Sequence, residues 1–153
     1  MIRRIAAVFA FLIAGPAAAQ MPDEPMVTRE SPYSVLVTID RLSQVVTEAG
    51  GRVFARIDHA QGARAVSMDL RPTELLIFGN PQLGTPVMQM SQTVGLDLPL
   101  RALAWEDEDG TVYLSHPRAE AIVFIHGIDP ESEDVQRINT VVDNLISQAL
   151  AEE

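Results

Sequence analysis

The chain has 153 residues, a length suited to one domain. It has no cysteine, which excludes a disulfide framework, thiol chemistry and a cysteine-borne lipid anchor. Its formal charge is −10 and it contains no lysine; so acidic a surface repels phosphate backbones and argues against nucleic acid and anionic membranes as partners.

Residues 1–19 read as a secretory signal: Arg3 and Arg4, an apolar run from Ile5 to Ala14, the break Gly15-Pro16, and the small residues Ala17-Ala18-Ala19. The apolar run is too short for a comfortable membrane span. The expectation is cleavage after Ala19 and a periplasmic or secreted product with no stable membrane insertion. Removing the leader leaves nine arginines against 21 acidic residues, a charge of −12. Residues 20–32 are rich in proline and acid and read as an N-terminal tail, with a short strand at Met26-Val27-Thr28.

Val35, Ile39, Leu42, Val46 and Ala49 fall on one face of a helix, with Ser34 as N-cap and Gly50-Gly51 as the stop. Arg52 to Asp58 alternates like a half-buried strand, and a short helix is expected between His59 and Ser67. Leu75-Leu76-Ile77-Phe78 is an unbroken apolar run between Pro72 and Gly79-Asn80-Pro81. It reads as a central strand covered on both faces. Thr85 and Pro86 read as the cap and first residue of the next helix, which ends near Gln92. A strand that leads through small residues to a helix N-terminus is a place where backbone amides can meet an anion.

Leu100–Glu106 and Thr111–Ser115 flank Asp107-Glu108-Asp109-Gly110, a hairpin signal that sets Trp105 against Tyr113. Pro117–Phe124 reads as helical, with Gly127 as its stop. Asp129-Pro130 reads as the start of a last helix whose apolar face is Val135, Ile138, Val142, Leu145 and Ala149. The predicted class is α+β: a single compact domain, a mainly antiparallel sheet covered by helices, and an extra C-terminal helix packed on it.

From Tyr33 to about Ile128 the chain resembles the family known as domain of unknown function 302. The landmarks are Thr38 with Leu42, Ile57-Asp58-His59, Arg71-Pro72-Thr73-Glu74, Ile77-Phe78-Gly79-Asn80-Pro81, Gly84-Thr85, Leu96-Asp97-Leu98-Pro99-Leu100, and Trp105 before the glycine hairpin. The resemblance implies a compact α+β fold and supplies no agreed reaction. It departs after Ser115, at His116-Pro117-Arg118, and leaves the helix from Asp129 onward outside.

Asp58-His59 at a strand end is the strongest chemical candidate, because a carboxylate can orient a histidine for acid–base work. Neighbouring residues on a strand nevertheless point to opposite faces. The three histidines show no metal-ligand spacing, Met68, Met88 and Met90 suit core filling, and no metal or cofactor is expected. Glu106 to Asp109 lacks the spaced pattern of a calcium loop. There is no Gly-x-Ser-x-Gly elbow and no phosphate-binding glycine pattern.

The leading expectation is therefore a non-enzymatic, exported module that binds a small ligand or a protein. Its pocket is expected where Asp58, His59, Asn80 and Thr85 converge. The alternative is an enzyme with His59 as general base, supported by Asp58 or Asp97. A further reading is a homodimer with its seam at Phe78, Trp105 or the last helix.

Overall fold

The computed structural model describes residues 21–152. The leader over 1–19 and its cleavage point at Gln20 lie outside the described residues. Five strands form one fully antiparallel sheet: β1 Met26–Ser31, β2 Arg52–Asp58, β3 Thr73–Gly79, β4 Leu100–Glu106 and β5 Val112–Pro117. Their spatial order is β1-β5-β4-β3-β2. The helices are α1 Val35–Glu48, α2 His59–Ala65, α3 Pro81–Met90, α4 Ala119–Phe124 and α5 Glu133–Ala149, with a 3₁₀ turn at Gln92–Leu96. This is the predicted α+β class.

The first strand includes the short one expected at Met26-Val27-Thr28 and extends it to Ser31. Residues 26–31 pair along the whole of β5, from Met26 against Pro117 to Ser31 against Val112. Ser31 then ties the strand to α1 through a 2.6 Å hydrogen bond between its Oγ and Thr38 Oγ1. Three residues suffice to link β1 to α1, so Ser34 caps α1 as expected, its side chain accepting from the Val37 amide.

The core lies between the sheet and helices α1 and α5. Ile39, Leu42 and Val46 meet Leu76 and Phe78 of β3, Ala102 and Ala104 of β4, and Leu114 of β5. Small alanines on the central strand let α1 lie close to the sheet. The apolar face predicted for α5 is buried at every position named, with Ile146 added. The predicted start of α5 is displaced: Ser132 is the N-cap, and Asp129 Oδ1 instead accepts from the Glu131 amide in the preceding turn.

The other face of the sheet is uncovered over much of its area, which corrects the expectation for β3. Leu76 and Phe78 are buried under the helices, whereas Leu75 and Ile77, on the opposite side, are half-buried. An unbroken apolar run therefore marks a strand whose second face is apolar without being enclosed. On that open face Trp105 stacks on Tyr113 with ring centroids 4.9 Å apart, and the Trp105 indole donates to Ser115 Oγ at 2.9 Å. The hairpin joining their strands turns at Gly110, φ +82°, where Asp107 Oδ1 accepts from the amides of Asp109 and Thr111. Asp107 is thus used by the turn itself.

A candidate ligand cleft at the start of α3

The helix after β3 starts earlier than expected. Asn80 is the N-cap, its Oδ1 accepting from the Gln82 amide at 2.9 Å, and Pro81 is the first helical residue. Asn80-Pro81 and Thr85-Pro86 are both cap-and-proline pairs, and the first one reached after the strand wins. Pro86 consequently lies inside α3. It has no N–H for the Gln82 carbonyl one turn back.

Beside this helix start is a cleft of about 240 Å³. Its walls are Leu83, Gly84, Thr85 and Met88 of α3, Gly79, Asn80 and Pro81, the segment Leu98-Pro99-Leu100, Phe54 of β2 and Ile138 of α5. Two glycines leave the space. A Cβ on Gly79 would stand 3.5 Å from Pro99 Cβ and 3.8 Å from Phe54 Cε2, and one on Gly84 would stand 3.6 Å from Leu98 Cδ1. Larger side chains at either position would project into the cleft. Phe54 sits beside the irregularity in β2, where the pairing shifts between Val53 and Ala55, and remains 49% exposed at the rim.

The structure brings together two of the four predicted ligand residues. Asn80 and Thr85 line the cleft; Asp58 and His59 do not. Asp58 pairs with Glu74 at the start of β3, while Arg52 pairs with Gly79 at its end. Six residues of extended strand separate the two places, about 20 Å. The strands are antiparallel, so the end of β2 and the end of β3 lie at opposite ends of this strand pair. Asn80 is also committed to capping, whereas the Thr85 hydroxyl makes no side-chain hydrogen bond among the described residues.

The predicted catalytic grouping does not form. Asp58 is the N-cap of α2: its Oδ1 accepts from the Gln61 amide at 2.7 Å, and its other oxygen lies 3.7 Å from Arg64. His59 is exposed and makes no hydrogen bond or ion pair among the described residues. Asp97 has a different histidine, His126, whose Nε2 lies 2.8 Å from Asp97 Oδ2. His126 Nδ1 lies 3.0 Å from Thr93 Oγ1, which in turn lies 3.0 Å from Ser91 Oγ, and Arg101 donates to Asp97 Oδ1 at 3.1 Å.

An ionised carboxylate only accepts, so Nε2 carries a hydrogen. Nδ1 then accepts from Thr93 in the neutral ring. The His126 hydrogen bond holds the Asp97 carboxyl below its ordinary value; partial burial opposes this and Arg101 adds to it. The chain links the 3₁₀ turn to the end of α4. Spacing had no means of pairing residues 97 and 126, which are far apart in sequence.

The histidines occupy three separate elements: His59 on α2, His116 on β5 and His126 just after α4. No group of three His, Cys, Asp or Glu able to hold a metal ion occurs among the described residues. Met68 and Met90 are exposed, while Met88 is a wall of the cleft.

An antiparallel five-stranded sheet packed against helices defines an α+β domain. The family model for Domain of unknown function DUF302 matches residues 27–151, and the chain belongs to that family. The match begins in β1 and runs past α5, further in both directions than the 33–128 spanned by the sequence landmarks. The fold is similar to the crystal structure of an uncharacterized conserved DUF302 protein from Bacillus stearothermophilus. The TM-score is 0.68 at 20% identity, over 82% of this chain and 95% of that one.

Among curated proteins, the chain is 51% identical over 100 residues to the fluoride-specific ion channel FluC 1 of Brucella suis biovar 1 (strain 1330), covering 65% of this chain and 39% of the relative. FluC 1 of Brucella abortus biovar 1 (strain 9-941) matches at the same identity, with 37% of that protein covered. The chain therefore spans less than two fifths of these relatives. No helix among the described residues is long and apolar enough to cross a membrane.

Proposed function

We propose that the protein is a non-enzymatic binding module that holds a small apolar molecule in the cleft beside α3. The observation that carries this reading is the cleft itself, walled mainly by apolar side chains and kept open by Gly79 and Gly84. Concave, largely apolar sites with few polar groups are where small ligands bind. Three of the stretches that carry the family resemblance, Gly79-Asn80-Pro81, Gly84-Thr85 and Leu98-Pro99-Leu100, meet at its walls. Occurrence of a similar 100-residue unit within longer channel proteins supports a module that also works beside a partner protein.

The test is a titration with 1-octanol followed by amide NMR. Shifts should concentrate at Leu83, Met88, Leu98 and Leu100. Gly84→Phe, which fills the cleft, should weaken binding at least tenfold while leaving the circular dichroism spectrum unchanged. An even scatter of shifts over the surface would remove the reading.

A different enzyme reading, with His126 in place of His59, is favoured by one observation, the Thr93–His126–Asp97 chain, in which a hydroxyl, an imidazole and a carboxylate stand in the order used to activate a nucleophile. It is tested by p-nitrophenyl acetate hydrolysis. The binding-module reading expects wild type and His126→Gln to be equally slow; a rate that His126→Gln abolishes would transfer the assignment to an enzyme.

We also propose export, with cleavage after Ala19. The support is the leader pattern over residues 1–19. Intact mass of the protein recovered from the cell envelope should start at Gln20, and a mass that includes Met1 would refute export with processing.

A further inference from the structure

We propose that the ligand of the cleft is a small monocarboxylate: an apolar body seated in the cleft, with its carboxylate at the rim against Arg52. The inference rests on the cleft reading above and adds to it the charge and size of the occupant.

Arg52 opens β2 directly opposite Gly79, a wall of the cleft. Residues paired across a sheet project to the same side, so Arg52 extends on the side of the sheet that the bare Cα of Gly79 faces. Its guanidinium lies 5.4 Å from the centroid of Phe54, the aromatic rim of the cleft. That contact keeps the cation at the mouth and leaves its N–H donors free for an anion.

The charge of Arg52 is also uncommitted. Arg56, Arg64, Arg101 and Arg118 each meet a carboxylate. Arg52 meets none among the described residues, although the chain carries 21 acidic side chains against eleven arginines. An uncompensated cation at the mouth of an apolar cleft, in a strongly acidic protein, complements an amphipathic anion. Within the cleft wall the Thr85 hydroxyl, without a hydrogen-bond partner among the described residues, supplies a neutral donor for a second oxygen. Size sets the body: 240 Å³ exceeds the roughly 150 Å³ that accommodates benzene, so an apolar group of about eight carbon atoms fits.

The experiment is isothermal titration of the full chain at neutral pH with octanoate, 1-octanol and octylammonium, which share a tail and differ in the charge of the head. Octanoate should bind about fivefold more tightly than 1-octanol, the scale of an exposed ion pair, and octylammonium more weakly than either. The gap between octanoate and octanol should close in concentrated salt. Arg52→Gln should reduce octanoate to the level of octanol while leaving octanol binding unchanged. Arg71→Gln, at the far end of β3, should alter neither. Octanol binding as tightly as octanoate, or Arg52→Gln without effect, would overturn the carboxylate assignment while the cleft reading stands. Failure of all three compounds to bind would overturn both.

Discussion

His116 is the most confined ionisable side chain with an unmet hydrogen-bonding atom. It faces the helices from β5, its Nδ1 lies 3.1 Å from the Pro117 carbonyl oxygen, and its Nε2 is buried without a partner among the described residues. Burial pushes its pKa below the ordinary 6.5, and the Pro117 carbonyl only partly offsets this. Below that ordinary value the unfolded chain takes up a proton that the folded chain resists. Stability should therefore fall as pH drops below 6.5. Thermal melts from about pH 7 to about pH 5 should show a smaller decline for His116→Gln than for wild type. Glycines supply a paired prediction. Gly84→Ala places a methyl group in ordinary contact inside a helix and should stabilise by ~0.5–1 kcal/mol. Gly51→Ala puts a Cβ 2.9 Å from both Val46 Cγ1 and the Val46 carbonyl oxygen, and should destabilise by ~1–3 kcal/mol. Denaturant midpoints of the two variants should move in opposite directions.

At the scale of elements, α5 is part of the core. It packs on α1, α3 and α4, and it supplies Ile138 to the cleft. Ile146→Ala, at a position 1% exposed, should cost ~2–5 kcal/mol in urea denaturation. Removing residues from Asp129 onward should abolish cooperative unfolding; an unchanged melt would show that the helix is dispensable. The link between the 3₁₀ turn and α4 is held by His126. Its ring is 94% buried and bonded at both nitrogens, so His126→Ala should destabilise by ~1–3 kcal/mol. The Asp97 carboxylate left behind retains Arg101, which limits the loss.

Over the whole molecule, the two faces of the sheet have different fates. The helix side is the core. The open side carries Leu75, Ile77, Leu103, Trp105 and Tyr113 half-buried, with the cleft at the edge where β3 ends. Phe78, one of the residues proposed for a dimer seam, is 2% exposed within the core and cannot meet a second copy. The apolar face of α5 is likewise spent on its own domain, which leaves Trp105 as the accessible member of that set. Trp105 is the single tryptophan, and it lies at the opposite end of β3 from Gly79. Octanol bound in the cleft should leave its emission unchanged. A concentration-dependent blue shift, matched by a dimer mass in native mass spectrometry, would assign the open face to self-association.

Local signals carried much of this description. Helical periodicity placed the buried face of α5, Ser34 and the double glycine bounded α1, and Asp109-Gly110 located the hairpin, because each depends on residues a few positions apart. The sequence also kept Asn80 and Thr85 close together, since both flank the same short connection. Tertiary structure decided the rest. Antiparallel pairing sent Asp58 and His59 to the opposite end of the β2–β3 pair from Asn80, and two cap-and-proline pairs in succession were resolved in favour of Asn80. Asp97 took His126 from a distant turn, and Arg52 came to pair with Gly79 across the sheet. Those outcomes depend on strand order and register, which follow from burying one face of the whole sheet against α1 and α5, and no short window of sequence contains that choice.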